Sequence, residues 1–211
     1  MNKRKNDIYF NIYDPILSNR YKIYDKYENL LNCDQILLRD NHISFNSLIN
    51  KESIGTLITF INNIINNKHL FDDFKIYLHI KSKGGVFNEL RNFITFKTQC
   101  IYEIVSIIDN ECYDSGFILA ALCSYRIITK NAKVYLSEIN IAKNGDCYWN
   151  YFNQCSNEET NNFKILLYDI LCNVVESNLT SDKLDSYFQK KGFHVWNSKK
   201  YKKLGFADEI I

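Results

Sequence analysis

Residues 101–123 constrain this chain more than any other stretch. Ile101-Tyr-Glu-Ile-Val-Ser-Ile-Ile108 is an apolar run of the length expected of a buried strand. Phe117-Ile-Leu-Ala-Ala-Leu122 reads as the first turns of a buried helix. Between them Tyr113-Asp-Ser-Gly116 predicts a sharp strand-to-helix turn carrying an acid, a hydroxyl and a glycine in succession. Turns of this kind aim side chains and backbone amides at one point beyond the sheet, and many nucleophiles sit on them. Here that position holds Asp114.

The neighbouring segments extend the same alternation. Gln35–Arg39 and Asn41–Ser44 read as short extended pieces. Apolar residues at 54, 57, 58, 60, 61, 64 and 65 recur at helical spacing over Ser53–Ile65. Phe74–Ile80 alternates and is rich in strand formers, and it runs into the chain's only Gly-Gly pair, Gly84-Gly85. A helix is expected over Asn88–Gln99, strands over Tyr125–Thr129 and Lys133–Ser137, and a long helix over Glu158–Glu176. Ser181 caps a helix through Gln189, and a last helix over Ser198–Leu204 stops at Gly205. Strand, helix, strand, helix, strand is the signature of an α/β fold. Residues 1–22, with Pro15 in their middle, read as an N-terminal arm, and residues 23–211 as one domain.

Composition excludes several classes. A formal net charge of +2 is too small to argue for nucleic-acid binding. No apolar run approaches the roughly 20 residues of a membrane helix. Met1-Asn-Lys-Arg-Lys5 leads into a polar stretch rather than the apolar core of a secretory signal. Seven cysteines occur without a Cys-x-x-Cys pair, so they read as reduced core residues rather than zinc ligands or disulfides. The bias toward Asn, Lys, Ile and Tyr is that of an AT-rich genome.

Gly84-Gly85 after a strand lets a backbone approach closely, and its amides, with that of Ser115, suit an oxyanion or simply a tight connection. Taken with the turn at 113–117, this resembles the ClpP family of serine peptidases, which share the crotonase-like fold. The family's Ser-Pro-Gly-Gly corresponds to Ser82-Lys-Gly-Gly85. Its Ala-Ser-Met-Gly-Ala, followed by Phe-Leu-Leu-Ala-Ala, corresponds to Tyr113-Asp-Ser-Gly-Phe117 and Ile118-Leu-Ala-Ala121. Its closing Gly-Leu-Val-Asp corresponds to Gly205-Phe-Ala-Asp208. The resemblance runs from about Tyr27 to the C-terminus. It implies an α/β domain of stacked strand-strand-helix units with a projecting handle, here about residues 140–177.

The resemblance also implies a degenerate triad. The family's serine falls on Asp114, its histidine on Ser137, and its acid on Tyr187 or Gln189, with Asp185 nearby. Ser115 is one residue, about 100° of helix, from the attacking position, and His79 is the histidine nearest the Gly-Gly turn. A serine without a general base is a weak nucleophile. Asp114 is open to two readings. It is a carboxylate that fills the oxyanion site itself, or a general base or metal ligand, and no metal set surrounds it in the sequence.

The handle of the family joins two heptameric rings, which would give Phe163, Leu166, Leu167, Ile170 and Leu171 an exposed role; the alternative is an ordinary core helix. The implied function is a non-catalytic, ClpR-like subunit of an ATP-dependent Clp protease. It would sit in a homo- or hetero-heptameric ring, meet a Clp ATPase, use no cofactor, and reside in an apicomplexan plastid. An active peptidase built on Ser115 with His79 or His194, a crotonase-type enzyme acting on an acyl-CoA through Gly85, Ser115 and Asp114, and an unassembled adaptor are the competing expectations.

Overall fold

The structure is a computed structural model, and it describes residues 35–71, 74–136, 157–174, 180–189 and 194–211. The arm at 1–22, residues 23–34 of the domain, Ser137 and the first part of the handle lie outside the described residues.

Strands β1 (Gln35–Arg39), β2 (His42–Asn46), β3 (Ile76–Ile80) and β4 (Ile104–Ile108) lie side by side in chain order. β6 (Tyr125–Ile128) and β9 (Glu209–Ile210) complete a six-stranded sheet. Among the described residues of this sheet only the β1–β2 hairpin is antiparallel; its other pairs are parallel, so helices cross between them. α1 (Lys51–Asn66) makes the first crossing, and α2 (Leu90–Gln99) the second. α1 starts at Asn50, which accepts from the Ser53 amide while Ser53 Oγ accepts from the Asn50 amide. Such a reciprocal cap satisfies two of the helix's orphan donors.

β4 is buried along its whole length, because α3 (Ser115–Ala121) covers one of its faces. Ser106 sits inside β4 and donates to the Ala120 carbonyl at 2.9 Å, which satisfies its buried hydroxyl and pins α3 to the sheet. A second, three-stranded sheet stands beside the first, formed by β5 (Glu111–Tyr113), β7 (Lys133–Leu136) and β8 (His194–Asn197). β5 pairs with β7 in parallel and β7 with β8 in antiparallel.

α4 (Asn157–Val174), α5 (Ser181–Gln189) and α6 (Ser198–Lys203) finish the helices. α6 ends in a Schellman motif, with Gly205 at φ +85°, its amide on the Lys202 carbonyl and the Phe206 amide on that of Tyr201. That turn sends Phe206 back into the core. There Phe117 of α3 meets Phe206 at 5.4 Å, Trp196 at 6.1 Å and Tyr201 at 6.3 Å, all edge-on. The C-terminal elements thus close over the helix that follows the turn.

The structure departs from the sequence reading at five strands. β3 starts at Ile76 and β4 at Ile104, so Phe74, Lys75 and Ile101–Glu103 lie outside them. β5 lies within the stretch 109–114 that separates β4 from α3, and β8 and β9 are additional strands. The handle is corrected as well. Leu167 and Leu171 are fully buried, whereas Leu166 is 51% and Ile165 60% exposed. Ile170 is half-buried, and the side chain of Phe163 is outside the described set. One face of α4 therefore packs on α3 and α5, and among the described side chains the exposed apolar ones, Ile165 and Leu166, lie off that face.

Candidate functional site

The turn between β5 and α3 is strained in the manner of a nucleophile elbow. Asp114 has φ +44° and ψ −117°, a conformation that non-glycine residues adopt only when surrounding structure enforces it. The enforcing bonds are visible. The Tyr113 amide donates to the Ser82 carbonyl at 2.8 Å, and the Asp114 amide to the Tyr135 carbonyl at 2.9 Å. The Asp114 carbonyl then accepts from Phe117 at 3.0 Å, which starts the helix. Residue 114 is held between the Gly-Gly segment on one side and β7 on the other.

The Gly-Gly segment approaches from β3. Gly84 has φ +86° and Gly85 φ +139°, both in the region that glycine tolerates. A Cβ at Gly85 would lie 2.3 Å from the Ile49 carbonyl oxygen, so the backbone of the β2–α1 connection leaves it no room. The Ile49 amide donates to the Gly84 carbonyl, and the Val86 amide to the Ile49 carbonyl, which closes a one-residue parallel bridge. Ser82 locks the same segment, since its hydroxyl donates to the Ser47 carbonyl at 2.7 Å and accepts from the Gly84 amide at 3.2 Å.

That last bond revises the picture of the amides. The Gly84 amide is directed to Ser82 and not to a shared anion position or to Asp114. The Gly85 and Ser115 amides have no acceptor among the described residues. Ser115 is fully buried, and its hydroxyl donates to the Gly85 carbonyl at 3.2 Å, tying the elbow to the Gly-Gly segment. Cys112 lies beneath, where burial pushes its thiol up to about 12 and keeps it protonated and inert.

The remaining positions named from sequence are distributed as follows. Tyr187 on α5 packs edge-on against Trp196 at 4.9 Å and His194 at 6.2 Å, with the Lys200 ammonium 5.4 Å from its ring centre. It is an aromatic packing residue, held away from carboxylate chemistry by its own identity. Gln189 ends α5, and its side chain and that of Asp185 are outside the described residues. His79 is fully engaged elsewhere: Nδ1 meets Asp109 at 2.9 Å and Nε2 meets His42 at 3.0 Å. A rearranged site pairing Ser115 with His79 would need both residues to leave these partners. Sequence reasoning missed Ser82 as the residue that satisfies Gly84, although a serine two residues before a Gly-Gly pair is a common side-chain-to-backbone turn.

Among the described residues no group of three or more His, Cys, Asp or Glu side chains is arranged to hold a metal ion. No helix of the described residues is long and apolar enough to cross a membrane.

No protein-family model and no curated protein matches this chain. Solved structures do. The catalytic domain of the ClpP protease from Plasmodium falciparum superposes with a TM-score of 0.64 at 20% identity, over 81% of this chain and 85% of that one. A second structure, a peptidase from Plasmodium falciparum, superposes with a TM-score of 0.62 at 16% identity, over 81% of this chain and 95% of that one. The chain has a ClpP-like fold.

Proposed function

We propose that this chain is a non-catalytic, ClpR-like subunit of a Clp-type proteolytic ring. One observation carries the reading. The elbow that aims a nucleophile in a peptidase of this fold is retained with its strain and its supporting bonds, and it carries the carboxylate of Asp114 instead of a hydroxyl. A carboxylate is a poor attacking group for a peptide carbonyl, and nothing described here supplies a base to the neighbouring Ser115.

In this reading the site is kept for shape. Gly85 and Ser115 hold the elbow against the Gly-Gly segment, and the fold presents its outer surfaces to neighbouring subunits. The role is structural or regulatory: the subunit occupies a place in a homo- or hetero-heptameric ring, beside catalytic ClpP-like subunits, with a Clp ATPase as a further partner. The exposed Ile165 and Leu166 on α4 support a handle that meets another subunit. The ClpP-like fold of two Plasmodium falciparum proteins, together with the AT-rich composition, supports a plastid location in an apicomplexan cell.

Native mass measurement tests the assembly. The purified chain, alone and mixed with a catalytic ClpP subunit, is expected to give ring-sized oligomers or mixed rings. A monomer at high concentration that ignores the catalytic partner would sink the ring-subunit reading.

A further inference from the structure

The solvent face of the main sheet carries a second cluster that plays no part in the elbow. β2 alternates so that His42 and Ser44 face outward, and β3 so that Tyr77 and His79 do. The parallel register sets His42 beside Tyr77 and Ser44 beside His79, which leaves the two histidines diagonal neighbours on one face. Asp109, the residue after β4, reaches the same point from the third strand.

We propose that His42 and His79 form a binding site for a divalent transition-metal ion, oriented by Asp109. This goes beyond the ring-subunit reading and does not depend on it. Asp109 Oδ2 accepts from His79 Nδ1 at 2.9 Å. That bond fixes the tautomer, so the lone pair of neutral His79 is on Nε2. His79 Nε2 faces His42 Nδ1 at 3.0 Å, and the two nitrogens share one proton. His42 is further oriented by Tyr77, whose ring lies 4.6 Å away and within 13° of parallel. A carboxylate behind one imidazole is the usual support of a metal-ligating histidine.

An ion would replace the shared proton, which passes from His42 Nδ1 to Nε2 of the same ring, so that the two facing nitrogens both carry lone pairs. Zinc–nitrogen bonds of about 2.0–2.1 Å at a tetrahedral angle place two nitrogens about 3.3 Å apart. The pair therefore has to open by a few tenths of an ångström and swing until both lone pairs converge. Half-exposed side chains on a solvent face have that freedom; the His79 side chain is 30% exposed. Imidazole nitrogen suits zinc, copper and nickel, and hard ions such as magnesium and calcium demand oxygen. The other coordination positions go to water, since no third protein ligand is arranged there among the described residues. The site is thus an exchangeable one, unlike a closed structural zinc. Arg39 at the end of β1 and Asp40 in the β1–β2 turn flank it with opposite charges.

The test is calorimetric titration of the full chain with zinc chloride and with nickel chloride at pH 7.5, repeated on His42→Gln, His79→Gln, Asp109→Asn and the control His69→Gln. Folding of each variant is checked by circular dichroism without metal. One ion per chain is expected. Affinity should fall at least tenfold in His42→Gln and His79→Gln, fall less in Asp109→Asn, and stay unchanged in His69→Gln. Magnesium should give no heat of binding. If His79→Gln does not fold, His42→Gln, which alters the more exposed ring, decides alone. Absence of zinc and nickel binding in the wild-type chain, or binding unaltered in His42→Gln, would overturn the proposal.

Discussion

Gly84 lies directly against Asp114: a Cβ added to the glycine would stand 3.2 Å from the aspartate Cβ and 3.3 Å from the Tyr113 carbonyl oxygen. The missing side chain at one position is what lets the other keep its strained turn. Gly85 is tighter still, because its added Cβ would meet the Ile49 backbone at 2.3 Å. Gly84→Ala is expected to lower stability by about 1–3 kcal/mol, the strain of forcing a side chain into this conformation. Gly85→Ala should cost more, because backbone cannot move aside as a side chain can. Denaturant midpoints of the two variants check the order, and a Gly85→Ala protein as stable as Gly84→Ala would contradict it.

Asp114 itself stores strain that only glycine would relieve, at φ +44° and ψ −117°. Asp114→Ala and Asp114→Gly both remove the carboxylate, but only the second frees the backbone. The glycine variant is expected to be the more stable of the two by about 1 kcal/mol, net of its larger unfolded-state entropy. Equal stabilities would mean that the turn is not strained as described.

The fold was legible where periodicity was long. The Ser53–Ile65 pattern became α1, and Phe74–Ile80 became β3 with two residues trimmed. β5 and β9 were not legible, since a strand of two or three residues has too few alternations to read, and β8 was not, since its partner β7 lies far off in sequence. Val134 of β7 pairs with Trp196 of β8, a contact that only the tertiary fold creates. Ile101 shows the opposite failure: apolar and adjacent to a buried strand, it is 88% exposed. At the elbow, the order Gly84-Gly85 then Asp114 carried the geometry from sequence, because glycine and a sharp turn leave few alternatives. What the sequence could not show was that Ser82 takes the Gly84 amide, which depends on a side-chain rotamer.

The two faces of α4 should answer substitution differently. Leu167→Ala and Leu171→Ala empty buried positions and are expected to lower stability by about 2–5 kcal/mol. Ile165→Glu and Leu166→Glu alter exposed positions and should leave the monomer fold intact while weakening assembly. Thermal melts and native mass on the same four variants separate the effects. Assembly unchanged in the glutamate variants would remove α4 as a contact surface.

Arg126 clamps the C-terminal segment through Asp208, with Nη2 to Oδ1 at 2.7 Å, Nε to Oδ2 at 2.9 Å and the Arg126 amide also on Oδ2 at 2.8 Å. Burial pushes the Asp208 carboxyl up, but the Arg126 hydrogen bonds and charge more than reverse this and hold it below its ordinary value. A depressed carboxyl stabilises the fold above the unfolded pKa of about 3.9, and the contribution is lost as pH falls through the lower folded value. Asp208→Asn is therefore expected to cost about 1.5–3 kcal/mol at neutral pH, with the gap closing in acid. Urea denaturation at pH 7 and pH 3 reads both points, and a gap that widened in acid would contradict the sign.

Asp114→Ser alone should not restore hydrolysis, because the hydroxyl would return without a base to activate it. Robust turnover of a fluorogenic peptide by that variant would mean that the triad positions were misplaced.

The most direct measurement combines peptide turnover with fluorophosphonate labelling on the wild-type chain. The account predicts no turnover above buffer and no label on Ser115. Turnover that disappears in Ser115→Ala, with the probe found on that serine, would contradict it.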